Sequence, residues 1–269
     1  IVIAGSYDNV SDLDIIVMRF LPDGTLDKTF NLNGYVITNI PKTNEIGYSV
    51  AIQTIRSYEK IIVAGTIALS DTNSAFIVLR YNDNGTLDTR FGDSGLGYNI
   101  TDIQSTFHDI AYSLAIQADG KIVAAGHTST LKGSSYAVAR YTSTGMLDTD
   151  VDTGFGEQFG KPLSRRGYVI PAIANTLYDT AYSVAIQPDK KIVVAGTTRA
   201  SAITNNNLSL ARLDTFGALD TSFNQTGYII QDIGDNTHDY GHSVAIQADG
   251  KIVAAGKRRS LDGQKQYLF

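Results

Sequence analysis

AIQADGKIVAAG, residues 115–126, recurs without a change at residues 245–256. Each copy has two short apolar runs separated by Asp-Gly, a dipeptide that favours the positive φ of a tight hairpin turn. The motif therefore predicts two antiparallel strands joined by that turn. Its repetition indicates that the whole chain consists of internal repeats.

Variants of this motif set the length of the repeat. Each variant ends in Ala-Gly, and the glycines are Gly5, Gly65, Gly126, Gly196 and Gly256. The intervals are 60, 61, 70 and 60 residues, so the repeat has about sixty residues and the third copy is extended. The variant TIRSYEKIIVAG at residues 54–65 lacks Asp-Gly, and we expect an altered hairpin there.

An arginine and an aspartate recur between the glycines. The arginine ends an apolar strand and the aspartate follows eight residues later: Arg19, Arg80, Arg140 and Arg212, with Asp27, Asp88, Asp148 and Asp220. Residues that recur in every unit normally serve the unit itself, and such pairs form charge-assisted hydrogen bonds. We predict one structural Arg–Asp pair in each repeat.

Each repeat has room for four short strands. Its apolar pieces are rich in Val, Ile and Tyr and are bounded by turn residues. A four-stranded meander cannot bury both faces alone, so successive sheets must pack face to face, and radial stacking leaves only short edges. The sequence thus predicts an all-β fold, a β-propeller of four-stranded antiparallel blades. A β-solenoid is the alternative, but its repeat is shorter.

The phase of the repeat predicts about four blades and a partial one. Residues 1–40 supply the last three strands of one blade, three complete blades follow, and residues 242–269 supply the first strands of another. We expect residues 1–269 to form a single repeat domain that is a fragment of a longer chain.

The motifs together resemble the bacterial delta-60 repeat family. Its pattern is similar to A-x-Q-x-DGKI-x-AG followed by ARY-x-x-x-G-x-LD-x-x-FG, and the resemblance covers essentially the whole chain. It implies a β-propeller, often within long exported or surface-associated bacterial proteins. It brings no catalytic residues to transfer to this sequence.

Charge and composition argue against several functions. The net charge of −5 and the pI near 5.3 disfavour nucleic-acid binding, and the basic pair Arg165-Arg166 is too short to change this. No apolar run reaches the roughly 18 residues of a membrane span. Without cysteine, disulfides and thiolate metal sites are ruled out.

A candidate binding site precedes the first strand of each repeat. There an acidic residue is followed three positions later by an aromatic one: Glu45 and Tyr48, Asp109 and Tyr112, Asp179 and Tyr182, Asp239 and His242. If this strand is innermost, these side chains surround one mouth of the axial channel. Carboxylates beside aromatic faces can hold a cation or stack on a sugar. The alternative is that they cap turns and pack in the core.

The extension of the third repeat suggests a calcium loop. Its oxygen ligands would be Asp148, Asp150, Asp152 and Glu157, which alternate along the chain. The pattern departs from the EF-hand because glycine occupies the seventh position and Phe159 the twelfth. Calcium is the one cofactor that the sequence suggests, and a solvated acidic loop is the alternative.

No catalytic motif is present in the sequence, so the leading prediction is a protein that is not an enzyme. We expect a binding or scaffold module of an exported or surface-associated bacterial protein, located outside the cell, that binds a protein or a carbohydrate. The variable segments 148–167 and 197–207 would give selectivity. One alternative is a hydrolase or lyase acting on sugars or lactones through Asp109, Asp179 and Asp239; another is a structural spacer.

Overall fold

A computed structural model describes residues 1–41, 43–159, 164–201, 204–234, 237–260 and 266–268. These residues form twenty β-strands and no helix, so the predicted all-β class is confirmed. No apolar helix that could cross a membrane occurs among them. The chain has two compact units: residues 1–122 with 141–146, and residues 123–140 with 147–269.

The strands follow the predicted order within each repeat, and the third repeat has two additional short strands, β11 and β12. The first eight are β1 (Val2–Asp8), β2 (Leu13–Arg19), β3 (Tyr35–Thr38), β4 (Glu45–Ile55), β5 (Tyr58–Ser70), β6 (Asn73–Tyr81), β7 (Tyr98–Thr101) and β8 (Asp109–Ile116). The next six are β9 (Ile122–Thr130), β10 (Gly133–Tyr141), β11 (Gln158–Phe159), β12 (Ser164–Arg165), β13 (Tyr168–Val169) and β14 (Tyr178–Ile186). The last six are β15 (Ile192–Arg199), β16 (Asn207–Leu213), β17 (Tyr228–Gln231), β18 (Thr237–Ile246), β19 (Ile252–Ser260) and β20 (Gln266–Leu268).

The first unit contains one partial and one complete antiparallel meander. The order β1-β2-β3 lacks a first strand, and β4-β5-β6-β7 has all four. Where Asp-Gly is missing, Arg56 and Ser57 join β4 to β5, and Arg56 takes the positive φ of 56°. The altered hairpin therefore has a shorter turn, with its positive φ at a residue other than glycine.

The second unit contains the complete meander β14-β15-β16-β17 and the partial one β18-β19-β20. The outer strand of the preceding repeat, β13, is reduced to two residues paired with β10. Much of the extension before it forms the short ribbon β11-β12, in which Gln158 pairs with Arg165. The segments 148–167 and 197–207 include residues 160–163 and 202–203, which lie outside the described residues.

The core of each unit consists of side chains between successive sheets. In the first unit Ile15 and Val17 of one sheet and Val63 and Ile77 of the next belong to one buried cluster. Every residue of β6 after Asn73 is buried, so this strand is covered on both faces. Each such aliphatic side chain contributes roughly 1.5–3 kcal/mol of burial free energy, which a lone meander could not supply.

Candidate functional site

The four predicted carboxyl groups begin the first strand of each meander and are buried. Glu45 and Asp109 in the first unit, and Asp239 in the second, are 0% exposed, and Asp179 is 3% exposed. Buried carboxyl groups need hydrogen-bond donors, because losing water without them is costly. The four carboxyl groups can therefore be compared by the hydrogen bonds that each one accepts.

Asp109 and Asp239 receive donors from the segment that precedes their strand. Asp109 Oδ2 accepts from the Ile103 N–H at 2.7 Å, and Asp239 Oδ2 accepts from the Ile233 N–H at 2.7 Å. The Thr237 hydroxyl also lies 3.1 Å from Asp239 Oδ1. These two aspartates thus hold the incoming loop against the strand.

Glu45 has a weaker environment for a charged group. Its Oε1 is hydrogen-bonded to the Thr43 hydroxyl, and its Oε2 has no partner among the described residues. Burial raises the pKa of Glu45, and hydrogen bonds from the Thr43 hydroxyl and the Ile40 backbone oppose this rise. Glu45 thus has a donor from the preceding segment, as Asp109 and Asp239 do, but one of its oxygens has no described partner.

Asp179 departs furthest from the repeat. Its Oδ2 accepts from the Thr176 hydroxyl at 2.9 Å, but no described backbone N–H donates to it and its Oδ1 has no described partner. Burial raises the pKa of Asp179 to about 7, against the opposing effect of Thr176. This carboxyl group therefore carries a proton over much of the range below neutral pH.

The aromatic residues three positions later are placed by β-bulges. The pairing of β4 with β5 skips Tyr48, that of β14 with β15 skips Tyr182, and that of β18 with β19 skips His242. A bulge adds one unpaired residue and redirects its side chain. The repeated bulge thus presents an aromatic group at the same point of each of these strands.

These aromatic groups meet in pairs on neighbouring strands. The Tyr48 and Tyr112 ring centroids are 5.1 Å apart in the first unit, and those of Tyr182 and His242 are 5.5 Å apart in the second. His242 also stacks on Tyr240 with centroids 6.1 Å apart. Burial raises the pKa of Tyr48 and Tyr182.

A serine beside each bulge joins neighbouring first strands. The Ser49 hydroxyl accepts from the Leu114 N–H at 3.1 Å, and the Ser183 hydroxyl accepts from the Val244 N–H at 3.1 Å. β18 therefore lies beside β14 in the second unit. Asp179 and Asp239, equivalent in their repeats, lie on adjacent strands.

The structure pairs each repeated arginine with its aspartate. The Nε to Oδ2 distances are 2.8 Å for Arg19–Asp27, 3.1 Å for Arg80–Asp88, 2.6 Å for Arg140–Asp148 and 2.8 Å for Arg212–Asp220. Each guanidinium also lies over a phenylalanine: Phe30, Phe91, Phe155 or Phe223. These contacts hold the strand, the turn and the following segment together.

The four predicted calcium ligands do not form a cluster. Asp148 is engaged with Arg140, while Asp150 Oδ1 accepts from the Asp152 and Thr153 N–H groups at 3.0 and 2.8 Å. Among the residues that the structure describes, no three His, Asp or Glu side chains could jointly hold a metal ion. The Asp-rich stretch forms a turn stabilised by its own backbone.

The sequence reasoning missed a cavity beside this extension. Arg165, Arg166, Tyr168 and Phe216 line a space of about 610 Å³ within the second unit. In the sequence, Arg165 and Arg166 stand out only as a basic pair too short to bind nucleic acid. The ten-residue extension was the signal that this repeat carries an additional feature.

A family model matches four segments of the chain. The family is described as "Domain of unknown function (DUF5122) beta-propeller", and the matched residues are 1–30, 60–91, 117–150 and 187–223. Each segment begins within the repeated motif, includes its Ala-Gly end, and continues past the Leu-Asp pair. No curated protein matches the chain at a significant level.

Several solved structures share the fold at low sequence identity. An endo-arabinase from Bacteroides thetaiotaomicron is 8% identical, with a TM-score of 0.39, and the match covers 98% of this chain and 86% of that one. An alpha-L-arabinofuranosidase from Lactobacillus brevis is 11% identical (TM-score 0.42; 97% and 84% covered). An exo-1,5-alpha-L-arabinanase from a bovine ruminal metagenomic library is 11% identical (TM-score 0.35; 95% and 85% covered).

The comparisons confirm the predicted β-propeller and correct the predicted function. At these identities the likeness to the solved structures is one of fold. The three structures are named as an endo-arabinase, an arabinofuranosidase and an exo-arabinanase, and these names stand against the prediction of a binding or scaffold module that is not an enzyme. The lack of a known catalytic motif in the sequence was therefore not evidence that catalysis is absent.

Proposed function

The chain belongs to the family described as "Domain of unknown function (DUF5122) beta-propeller", and on that fold we propose a hydrolase that cleaves glycosidic bonds with Asp179 as proton donor. The observation that carries the proposal is the state of this carboxyl group. Asp179 is buried, has an oxygen with no described partner, and has a pKa raised to about 7. Perturbed carboxyl groups of this kind are typical of catalytic acids.

Glycosidic cleavage needs a proton at the leaving oxygen. An ordinary aspartic acid is ionised at neutral pH and cannot provide it, whereas a carboxyl group with a pKa near 7 can. Asp179 would donate its proton to the glycosidic oxygen as the bond to the sugar breaks. Water then adds to the sugar, and its second proton returns to the enzyme.

Asp239 is the candidate for the second carboxylate. Most glycoside hydrolases use a pair of acidic residues with different roles. Asp239 lies on β18, adjacent to the strand of Asp179, and both of its oxygens accept hydrogen bonds, as a carboxylate does. Asp179 and Asp239 therefore combine a proton-bearing and a hydrogen-bonded carboxyl group on neighbouring strands.

Aromatic groups beside these residues suit a sugar ring. Tyr182 and His242 follow the two aspartates by three positions and pack 5.5 Å apart. The C–H face of a sugar packs well on such rings, as ligand sites with apolar walls and few polar groups generally show. We propose that this pair holds the substrate next to Asp179.

Access to Asp179 requires local opening. The side chain is 3% exposed, and a single hydrogen bond from the Thr176 hydroxyl connects it to the preceding segment. Asp109 and Asp239 instead receive backbone N–H donors from the corresponding segments. We therefore expect residues 171–177 to be released more easily than the equivalent segments of the other repeats.

The proposed substrate class also favours a location. Polymeric glycans are found mainly outside bacterial cells, and we propose that this protein is exported or surface-associated in a bacterium. The proposal predicts that cell fractionation recovers the full-length protein in the medium or at the surface. Recovery from the cytoplasm alone would contradict it.

Activity should be measured on a panel of polysaccharides by release of reducing ends. The panel contains arabinan, arabinoxylan, galactan and polygalacturonate. With the best substrate, Asp179→Asn should lower kcat by about 100-fold or more, because the amide cannot donate the required proton. Activity should also fall as the pH rises through about 7, where Asp179 loses its proton.

Asp189→Asn is the matched control. Asp189 is an exposed aspartate in the hairpin turn of the same repeat, so its replacement makes the same Asp-to-Asn change and leaves Asp179 in place. Wild-type activity in Asp179→Asn, or no cleavage of any polysaccharide in the panel, would overturn the proposed function.

A further inference from the structure

The cavity in the second unit is separate from the proposed catalytic residues, none of which lines it. It has a volume of about 610 Å³, and its walls come from the segment 156–157, residues 165–172 around β13, and the turn 216–219 after β16. Asp179 is not among its lining residues. Its volume falls in the usual range of small-molecule sites, about 300–1,000 Å³.

Arg165 is fixed in one orientation at this cavity. Its Nε donates to the Val151 carbonyl at 3.2 Å and its Nη1 to the Gly156 carbonyl at 2.9 Å. The guanidinium carbon lies 4.8 Å from the centroid of Phe216, and the Phe216 carbonyl accepts from the Gly156 N–H. Because these contacts hold the guanidinium in advance, binding a ligand costs little side-chain entropy.

The charged lining favours an anion. Among the described residues, Arg165, Arg166 and Glu157 are the charged side chains of the wall, which gives one net positive charge in a chain of net charge −5. Arg166 is exposed, and its Nη1 lies 3.4 Å from the Tyr168 hydroxyl. Guanidinium groups bind carboxylates with charge-assisted hydrogen bonds.

The rest of the lining favours a saccharide over a simple anion. Val169, Pro171, Ala172 and Leu219 provide an apolar wall, which a small inorganic anion would not use. The Glu157 carboxylate would repel such an anion but can accept hydrogen bonds from sugar hydroxyls. We infer that this cavity binds an acidic saccharide, with the carboxylate at the arginines, the hydroxyls at Glu157 and the ring on the apolar wall.

Calorimetric titration tests the inference without any need for catalysis. Trigalacturonate is the acidic probe, galactotriose is its neutral counterpart, and inorganic phosphate is the simple anion. We expect trigalacturonate to bind roughly 10- to 100-fold more tightly than galactotriose, the contribution of a charge-assisted pair. Its affinity should also fall as salt is added.

Two variants locate the binding. Arg166→Gln should weaken trigalacturonate binding at least about tenfold, whereas Arg90→Gln, which removes an equally exposed arginine from the first unit, should not. Equal affinity for the acidic and neutral trisaccharides, absence of binding to both, or unchanged binding in Arg166→Gln would overturn the inference. Phosphate binding as tight as trigalacturonate would overturn the saccharide assignment.

Discussion

Arg140 and Asp148 form the shortest of the four repeated ion pairs, with 2.6 Å between Nε and Oδ2 and with side chains only 4% and 3% exposed. Arg140 Nη1 also donates to the Thr215 carbonyl at 2.6 Å, and Nη2 to the Thr153 carbonyl at 2.9 Å. Removing one member of such a pair leaves a buried charge without its counterion. We predict that Asp148→Asn lowers the free energy of unfolding by about 3–5 kcal/mol.

The pair Arg212–Asp220 provides the internal comparison. It joins the same two atoms, at 2.8 Å, but its side chains are 16% and 12% exposed. Water can solvate the arginine that is left unpaired there. Asp220→Asn should therefore lower the free energy of unfolding by clearly less than Asp148→Asn does. Urea unfolding of the two variants measures the difference. Equal losses would show that burial does not set the strength of these pairs.

Steric contact explains why the repeated motif ends in glycine. A Cβ atom at Gly65 would lie 1.8 Å from the Ile46 carbonyl oxygen, where the strand of Tyr48 bulges. Neither backbone can move without breaking strand pairs. We predict that Gly65→Ala lowers the free energy of unfolding by more than about 2 kcal/mol, as overpacking against backbone does.

Gly5 is the matched control for this prediction, because it occupies the same position of the motif in a sheet that lacks the bulged strand. A Cβ atom at Gly5 meets nothing within 4 Å. Gly5→Ala should therefore leave the free energy of unfolding, measured with urea, within about 0.5 kcal/mol of the wild-type value. A large loss in Gly5→Ala would mean that backbone conformation, not contact, selects this glycine.

Much of the fold could be predicted from sequence because it depends on repetition. The spacing of the motif glycines and the alternation of apolar runs with turn residues predicted the strand order of the repeats, apart from the additional ribbon β11-β12 of the third one. The Asp-Gly turn also behaves as predicted, with Gly120 and Gly250 at φ of 81° and 84°. Local turn chemistry and burial decide these features, and both can be read from neighbouring residues.

The candidate site was less predictable, because equivalent residues differ in contacts that the sequence does not reveal. Asp179 and Asp239 look alike in sequence, but only Asp239 receives a backbone N–H from the loop before it. The sequence shows the aromatic residues as a recurring set, but it does not reveal that bulges orient Tyr48, Tyr182 and His242. The extension of the third repeat marked the region of the cavity at Arg165, but nothing in the sequence indicated the cavity itself.

The raised pKa of Asp179 predicts a pH dependence of stability. The unfolded chain loses this proton near pH 4, whereas the folded protein keeps it to about pH 7. The folded state therefore binds more protons between these values, and its stability falls as the pH rises from about 4 to 7, by at most about 1.4 kcal/mol per pH unit. Above about pH 7 the contribution of Asp179 becomes constant.

Other groups titrate in the same range, so the difference between two variants is the useful measurement. Burial and the nearby Lys257 ammonium lower the pKa of His242, whose contribution to stability is lost as the pH falls below about 6.5. Comparing wild type with Asp179→Asn at each pH cancels this effect. The stability of the variant relative to wild type should increase from pH 4 to 7. A constant difference would contradict the raised pKa.

The buried hydroxyl groups of Tyr141 and Thr101 are hydrogen-bonded to each other, but only Thr101 has a second described hydrogen-bond partner. Their oxygens are 2.8 Å apart, and Thr101 Oγ1 also donates to Asn99 Oδ1 at 3.2 Å. Tyr141→Phe leaves Thr101 with this second partner, so it should lower the free energy of unfolding by about 1 kcal/mol. Thr101→Val leaves the tyrosine hydroxyl buried without a partner, so it should lower the free energy of unfolding by about 2–3 kcal/mol. Because the double variant has no unsatisfied hydroxyl, its loss in urea unfolding should be smaller than the sum of the single losses. Equal and additive losses would mean that water reaches Tyr141 and replaces the missing partner.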